Sequence, residues 1–401
     1  MKVKSLFLMA LAASMTLVSC DKSEDLGQNT DTQLKSVTVT LPNIQKAPAA
    51  NVGTRAMGDA VADGSKVALK NYKVFFLSGN TEVSVPQFEG AAQKVYFDAT
   101  ADGADWATNM GKYTYHFLPA AVNKVAVVGN IATADMTWEQ VQKLTAVDVL
   151  NDGTTGGTND ANGHPYYQLY GESALTRTGI LDDKDHNNVY TASVNLAPRT
   201  SRFEIYGFEY TLEEGNDTYT FQSVELNKIA LSNYATKFDF MTMAAVGTRV
   251  VAPTEATAIW DWIANADANW SNSLNSLSLA QDAKKFVNGT DIPENYTQNG
   301  EGATGIITYG LTHATNVGEN PELLLSFYGV GADGSKTPLY LRGKFTKQVF
   351  EANGVKGNAT TGKIYRVFFP ILDNVWEQPE RCIELTVTVA EWEVVPVTPE
   401  F

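Results

Sequence analysis

The sequence predicts an all-β protein built as β-sandwiches, interrupted by one or two short helices. Three observations carry this. Short apolar runs alternate with polar residues at period two, as in Val37, Val39 and Leu41 against Ser36, Thr38 and Thr40, the pattern of a strand with one buried face. Gly, Asn and Asp punctuate the runs at turn positions, as in Ser78-Gly79-Asn80 and Gly129-Asn130. Helical spacing is confined to a few places, which favours sheet packed on sheet over an α/β layout. At 401 residues the chain has the length for two ordinary domains.

Residues 1–19 read as a signal peptide. Lys2 and Lys4 form a positive start, and Ser5 to Ser19 is uncharged, largely apolar and too short for a permanent membrane span. Leu17-Val18-Ser19-Cys20 has the form of a lipobox, with a branched apolar residue three before the cysteine and a small one just before it. Cys20 is the expected lipidation site; the alternative is an ordinary signal peptide with an incidental cysteine. Acylation of Cys20 leaves Cys382 as the one remaining thiol, so stability must come from burial rather than an intramolecular disulfide. No other stretch approaches eighteen consecutive apolar residues, so the lipid on Cys20 is the expected outer-membrane attachment.

Residues 20–55 read as a lipidated propeptide. A polar tether leads to the strand pattern of Val37, Val39 and Leu41, and a linker rich in Ala and Pro follows. The linker ends in Gly53-Thr54-Arg55-Ala56-Met57-Gly58. An arginine flanked by small residues in an unstructured segment is accessible to an Arg-specific protease, so the bond between Arg55 and Ala56 is the expected cut. Its position between an isolated strand and the domain body gives it weight.

The domain body divides at about residue 190, into 56–190 and 191–401. Strand patterns in the first part are Lys73 to Leu77, Val95 to Phe97, Tyr113 to Leu118 and Lys124 to Val128. A helix begins at Thr137, where Thr137 and Gln140 form a capping-box pair and Trp138, Val141, Leu144 and Val147 follow at helical spacing. Polar stretches at Asn151 to Gly163 and Asp182 to Asn188 read as loops. The second part alternates at Val194, Leu196, Phe203 and Ile205, and again from Ser223 to Leu231. Residues 254–300 read as irregular, with a short helix around Ile259 to Ala266. Strands return at Ile306 to Tyr309, Leu323 to Tyr328, Leu339 to Phe345, Tyr365 to Ile371 and Ile383 to Val389.

The formal net charge of −15 argues against nucleic acid, whose phosphates demand a basic face. Without residues 1–55 the chain keeps 24 basic and 41 acidic groups, a net −17. Gly329-Val330-Gly331-Ala332-Asp333-Gly334 fits G-x-G-x-x-G, but a second strand rather than a helix follows, so it reads as a hairpin turn and not a dinucleotide site. His116, His164, His186 and His313 lack the local spacing of a metal motif. Asp182, Asp183 and Asp185 lack the glycine and distal glutamate of a calcium loop. Trp106, Trp260, Trp262 and Trp270 either stack on sugar rings or, as sandwich tryptophans more often do, fill core. No local motif assembles a nucleophile, base or metal, so neither an enzyme nor a cofactor is expected.

Taken in order, these pieces resemble the fimbrillin superfamily of Bacteroidetes, the FimA-like and Mfa-like subunit lipoproteins of type V pili. The resemblance rests first on the lipobox at Leu17 to Cys20; separately, Asp21-Lys22-Ser23-Glu24-Asp25 behind it resembles the short acidic tag of surface-exported lipoproteins. The resemblance continues through the strand Val37 to Leu41, Arg55, Tyr113 to Pro119 with Val127-Val128-Gly129-Asn130, Val194 to Arg199 with Arg202 to Ile205, Gly362 to Val367, and the C-terminal run Ile383 to Glu391. It implies two transthyretin-like β-sandwiches in tandem and assembly by donor-strand exchange. Under that scheme Val37, Val39 and Leu41 fill a groove in their own domain until cleavage releases them, and a neighbour's strand then enters by β-augmentation. Ile383, Leu385, Val387 and Val389, alternating with Glu384, Thr386 and Thr388, are the donor candidates. The alternative is that this run stays and only Glu393 to Phe401 swings out. Expected partners are other fimbrial subunits, the protease, the outer membrane through Cys20, and a host or bacterial surface ligand. The competing roles are a tip adhesin or glycan-binding surface lipoprotein and an uncleaved anchor.

Overall fold

The computed structural model describes residues 33–42, 44, 66–102, 111–131, 134–145, 147–148, 167–235, 237–265, 271–286, 310–312, 321–345, 362–374, 382–391 and 393–396. Cys20, the Arg55–Ala56 bond, Trp106, Trp270, His164, His313 and the loop Asn151 to Gly163 lie outside them. Among the described residues strands dominate, and the helices are Ala99–Asp102, Trp138–Gln142 and Ala256–Asn265. No helix among them is long and apolar enough to cross a membrane.

Two sheets enclose the first core. One has the order Thr176–Leu181, Asn188–Ser193, Lys35–Thr40, Lys112–Leu118. The other runs Ala197–Pro198, Leu169–Ala174, Lys124–Gly129, Asn71–Ser78, Thr81–Glu82. Alternate residues of this second sheet serve two cores. Val74, Phe76, Val125 and Val127 pack with Val37, Val39, Leu41 and Tyr115. Phe75, Leu77, Ala126 and Val128 join the cluster that contains Phe208, Leu226, Phe327 and Phe369. Burial on both faces is why Val74-Phe75-Phe76-Leu77 and Val125-Ala126-Val127-Val128 read as unbroken apolar runs rather than alternating ones.

The sequence expects these two middle strands almost to the residue. It misses Thr176–Leu181, which is exposed along its whole length and so has no alternation to read. It also places a boundary near 190, where the strand Asn188–Ser193 pairs with Lys35–Thr40 at every residue. Ala197–Pro198 still pairs with Leu169 and Tyr170.

The helix after Thr137 forms with both halves of the expected capping box. It stops at Gln142, although the apolar spacing continues to Val147. Tertiary pairing overrides it: the Leu144 carbonyl accepts from the Phe240 amide at 3.0 Å, and Val147–Asp148 pairs with Lys237–Phe238. Trp138 fills core beside Phe75, ring centroids 5.4 Å apart. Arg199 fastens the same junction, its guanidinium donating to the carbonyls of Phe240 and Met241 and lying over the Tyr170 ring.

Two further sheets follow. One has the order Lys284–Phe286, Ser201–Thr211, Lys363–Leu372, Thr386–Glu391. The other runs Ser271–Ala280, Ser223–Ser232, Glu322–Val330, Lys336–Lys344, Cys382–Glu384. The G-x-G-x-x-G segment is the turn of the hairpin between Glu322–Val330 and Lys336–Lys344, with the Gly331 amide donating to Ser335 O at 2.9 Å. Gly334 has φ +78, which is why glycine stands there. The helix Ala256–Asn265 covers this sheet through Ile259 and Ile263 on Ala230, Leu324 and Tyr340. Trp262 packs on that cluster and Trp260 stands edge-on to Tyr328 at 5.2 Å, so both are half-buried against protein.

The C-terminal run departs from the single strand that its alternation suggests. Cys382–Glu384 pairs in parallel with Lys336–Lys344, whereas Thr386–Glu391 pairs antiparallel with Lys363–Leu372. Leu385 is the crossing point and is buried. Among the described residues Thr386–Glu391 ends its sheet and pairs on one side alone. The final strand, Glu393–Pro396, returns to the first half and pairs in parallel with Lys66–Leu69.

Candidate functional site

The strand Lys35–Thr40 is the feature around which a site is built. It sits inside its sheet, parallel to Asn188–Ser193 on one side and antiparallel to Lys112–Leu118 on the other. Sequence alternation puts Val37 and Val39 on the inner face, and they are 0% and 3% exposed, with Leu41 at 4%. The backbone is satisfied beyond the strand as well: the Leu41 amide donates to Gly111 O at 2.7 Å, and the Val194 amide donates to Thr40 O at 2.8 Å. Neighbouring strands lie about 4.8 Å apart, so withdrawing this one opens a slot about 10 Å wide between two strands. Both walls would then present unpaired amides and carbonyls over an apolar floor.

The start of the slot is polar. Lys35 is buried, and its Nζ donates to Val122 O at 2.9 Å and lies 4.9 Å from the Tyr190 ring centre. The Ser36 hydroxyl donates to Asp185 Oδ2. The same oxygen accepts the Phe117 amide at 3.3 Å and lies 3.2 Å from His116 Nδ1. Asp185 Oδ1 accepts the Asn187 amide at 2.9 Å. Burial alone would raise the Asp185 pKa; the donors from Ser36, Asn187 and Phe117 outweigh it and hold the carboxyl below its usual range. Phe117 adopts φ +56, a left-handed conformation that a bulky residue rarely takes, beside the bulge between Lys35 and Val37.

His116 is held from every side. Its amide donates to Gln93 Oε1 at 2.7 Å, Gln93 Nε2 donates back to the His116 carbonyl at 2.7 Å, and Phe88 stacks on the ring at 4.0 Å. Asp182 Oδ1 lies 3.5 Å from His116 Nδ1 and accepts the amides of Lys184 and Asp185. The ligand atoms of His116, Asp182 and Asp185 lie within 4.8 Å of one another. Three donors already converge on Asp185 Oδ2, which suits the cluster to holding a hydroxyl rather than a cation. Further along, Thr38 and Thr114 share a hydroxyl–hydroxyl bond of 2.9 Å.

Of the residues singled out in the sequence, the structure brings Val37, Val39 and Leu41 into one core and sets Leu385 in the other. It places His116 against Asp182 and Asp185, which sequence reasoning left as a lone histidine and a solvated loop. Their separation of 69 residues between His116 and Asp185 leaves no local signal. His186, at φ +58, turns the Asp182–Asn187 loop and does not join the cluster.

No protein-family model matches the sequence, and no curated protein does. Among solved structures the chain is similar to a candidate cell adhesion protein of Bacteroides eggerthii, at 14% identity and TM-score 0.46, covering 92% of this chain and 100% of that one. It is also similar to a candidate cell adhesion protein of Parabacteroides distasonis, at 13% identity and TM-score 0.47, covering 92% and 99%. A fimbrilin of Porphyromonas gingivalis matches at 13% identity and TM-score 0.44, covering 91% and 99%.

Proposed function

We propose that this chain is the precursor of a structural subunit of a surface fimbrium. It is exported as a lipoprotein acylated at Cys20, reaches the outer membrane, and is cut between Arg55 and Ala56 by an Arg-specific protease. It then polymerises outside the cell by donor-strand exchange with other fimbrial subunits, in support of adhesion to a host or bacterial surface. Its role is structural rather than catalytic.

One observation carries this reading. The strand that occupies the slot lies between partners from residues 112–118 and 188–193, and its covalent link to the next strand of the body is the segment from Leu41 to Ser65. A cut after Arg55 severs that link and leaves a strand held by non-covalent contacts alone. The energetic cost of an empty slot, with apolar floor and unpaired backbone exposed, drives replacement by another strand. Head-to-tail replacement does not close on itself and gives a filament.

A second reading follows from the other terminus. Glu393–Pro396 is paired within its own chain on Lys66–Leu69, and a C-terminal strand kept at home favours a tip, whereas retention of residues 20–55 favours an uncleaved anchor. Treatment of the full precursor with an Arg-specific protease separates them. A new N-terminus at Ala56 with SDS-resistant ladders is the result expected of a polymerising subunit. A chain cut at Arg55 that stays monomeric identifies a tip, and one that keeps Cys20 on the cell surface identifies an anchor.

A further inference from the structure

The strand Lys35–Thr40 and the C-terminal strand Thr386–Glu391 each carry a four-residue series in which hydroxyl residues alternate with valine. Ser36-Val37-Thr38-Val39 stands in one, and Thr386-Val387-Thr388-Val389 in the other, in the same chain direction. The first series is read in the slot by two polar contacts: the Ser36 hydroxyl on Asp185 and the Thr38 hydroxyl on Thr114. We propose that Asp185, fixed by His116 and the Phe117 amide, is a hydroxyl-recognition site that sets the register of an incoming strand from a second copy of this chain. It takes Thr386 where Ser36 now sits. The inference deepens the donor-strand reading above and rests on it.

The register follows from charge. Aligning Thr386 with Ser36 puts Val387 and Val389 on the positions of Val37 and Val39, and Thr388 opposite Thr114. Glu384 then falls at the place of Leu34, which is 43% exposed. Sliding the strand by two residues is the main competitor, because it seats Leu385, Val387 and Val389 at the positions of Val37, Val39 and Leu41. That slide sets Glu384 at the place of Ser36, against a carboxylate whose side chain is 0% exposed. Two carboxylates there cannot both be charged without a large penalty, and the amides of Phe117 and Asn187 stay on Asp185 after Ser36 has left. The favoured register has two mismatches at buried positions: Leu385 in place of Lys35, whose Nζ donates to Val122 O, and, at the last position of the slot, Glu391 in place of Leu41. The second mismatch makes the register testable.

The experiment cleaves the full precursor with the Arg-specific protease in the presence of a dye-labelled peptide spanning residues 384–391. Capture of the peptide and formation of SDS-resistant ladders are read together. Replacing Thr386 by Val in the peptide removes one hydrogen bond to a charged acceptor and should weaken capture about tenfold or more. Ser at that position should restore it. Leu in place of Glu391 should strengthen capture, and Thr in place of Glu384 should leave it unchanged. An Asp185→Ala precursor, provided it is still cut to ladders, should no longer tell Thr386 from its valine replacement. If no ladders form with any chain, the polymerising-subunit reading on which this rests fails. If ladders form but the Thr386→Val peptide is captured as well as the native one, or no peptide is captured, recognition by Asp185 is wrong while strand exchange stands. If Thr in place of Glu384 strengthens capture and Leu in place of Glu391 does not, the shifted register is the true one and the proposal is overturned.

Discussion

The hydroxyl of Ser36 donates to the carboxylate of Asp185 across 149 residues of sequence, so the first described strand is fastened by a group from the loop before Asn188–Ser193. The acceptor is ionised and shielded, and a hydrogen bond of that kind contributes more than a neutral exposed one. Ser36→Ala should lower the stability of the uncut precursor by about 1.5–3 kcal/mol, seen as a lower urea midpoint at unchanged slope. A midpoint within error of the parent would mean that the Ser36–Asp185 contact does not help hold the strand.

The same contact predicts a pH dependence. The folded-state pKa of Asp185 lies below its ordinary value of about 3.9, so its contribution is fully present above that value and is lost as pH falls through the folded one. Ser36→Ala removes one of the donors that depress it, and the two pKa values move closer together. The drop in Tm between about pH 5 and about pH 3 should therefore be smaller in Ser36→Ala than in the parent. Equal drops would assign the acid sensitivity to other carboxylates.

Much of the fold could be read from the sequence because burial leaves a period. Val37 and Val39 alternate against threonines, and Val74 to Leu77 run unbroken because each face of their sheet meets a core. What could not be read has no local period. Thr176–Leu181 is exposed throughout. Ser271–Ala280 hides its pattern under serines and asparagines, although it pairs along Ser223–Ser232. The polar end of the slot depends on His116, Asp185 and Ser36 meeting through the fold, and no spacing in the chain announces that.

Asn130 offers a prediction about the chain's other end. It is fully buried at φ +56, its Oδ1 accepts the Lys70 amide at 2.9 Å, and its Nδ2 donates to Ala68 O and Tyr167 O at 2.8 Å each. These bonds fix the strand Lys66–Leu69 on which Glu393–Pro396 lies. Asn130→Ala orphans three backbone groups and strains a left-handed position, so a loss of about 3 kcal/mol or more is expected. Amide exchange at Val394 and Val395 should quicken at the same time. Global destabilisation with no change at those amides would separate the tail from this anchor.

Leu385 decides which part of the C-terminus leaves. It is buried where the chain crosses between two sheets, and it packs so closely on Gly343 that a Cβ there would lie 2.6 Å from its Cδ2 and 2.7 Å from Phe369 Cε2. Gly343→Ala therefore crowds Leu385 in its home pocket without altering the donor strand itself, at a cost of about 1–3 kcal/mol. If the whole run from Leu385 departs, the part of that strain carried by Leu385 is relieved in the act of leaving, and ladders should form faster from cut Gly343→Ala precursor than from the parent. If only Glu393 onward moves, Leu385 stays crowded before and after, the strain cancels, and the rates should match. The expected result is acceleration, because among the described residues Thr386–Glu391 pairs on one side alone, so its release costs one ladder of hydrogen bonds, whereas a central strand would forfeit two.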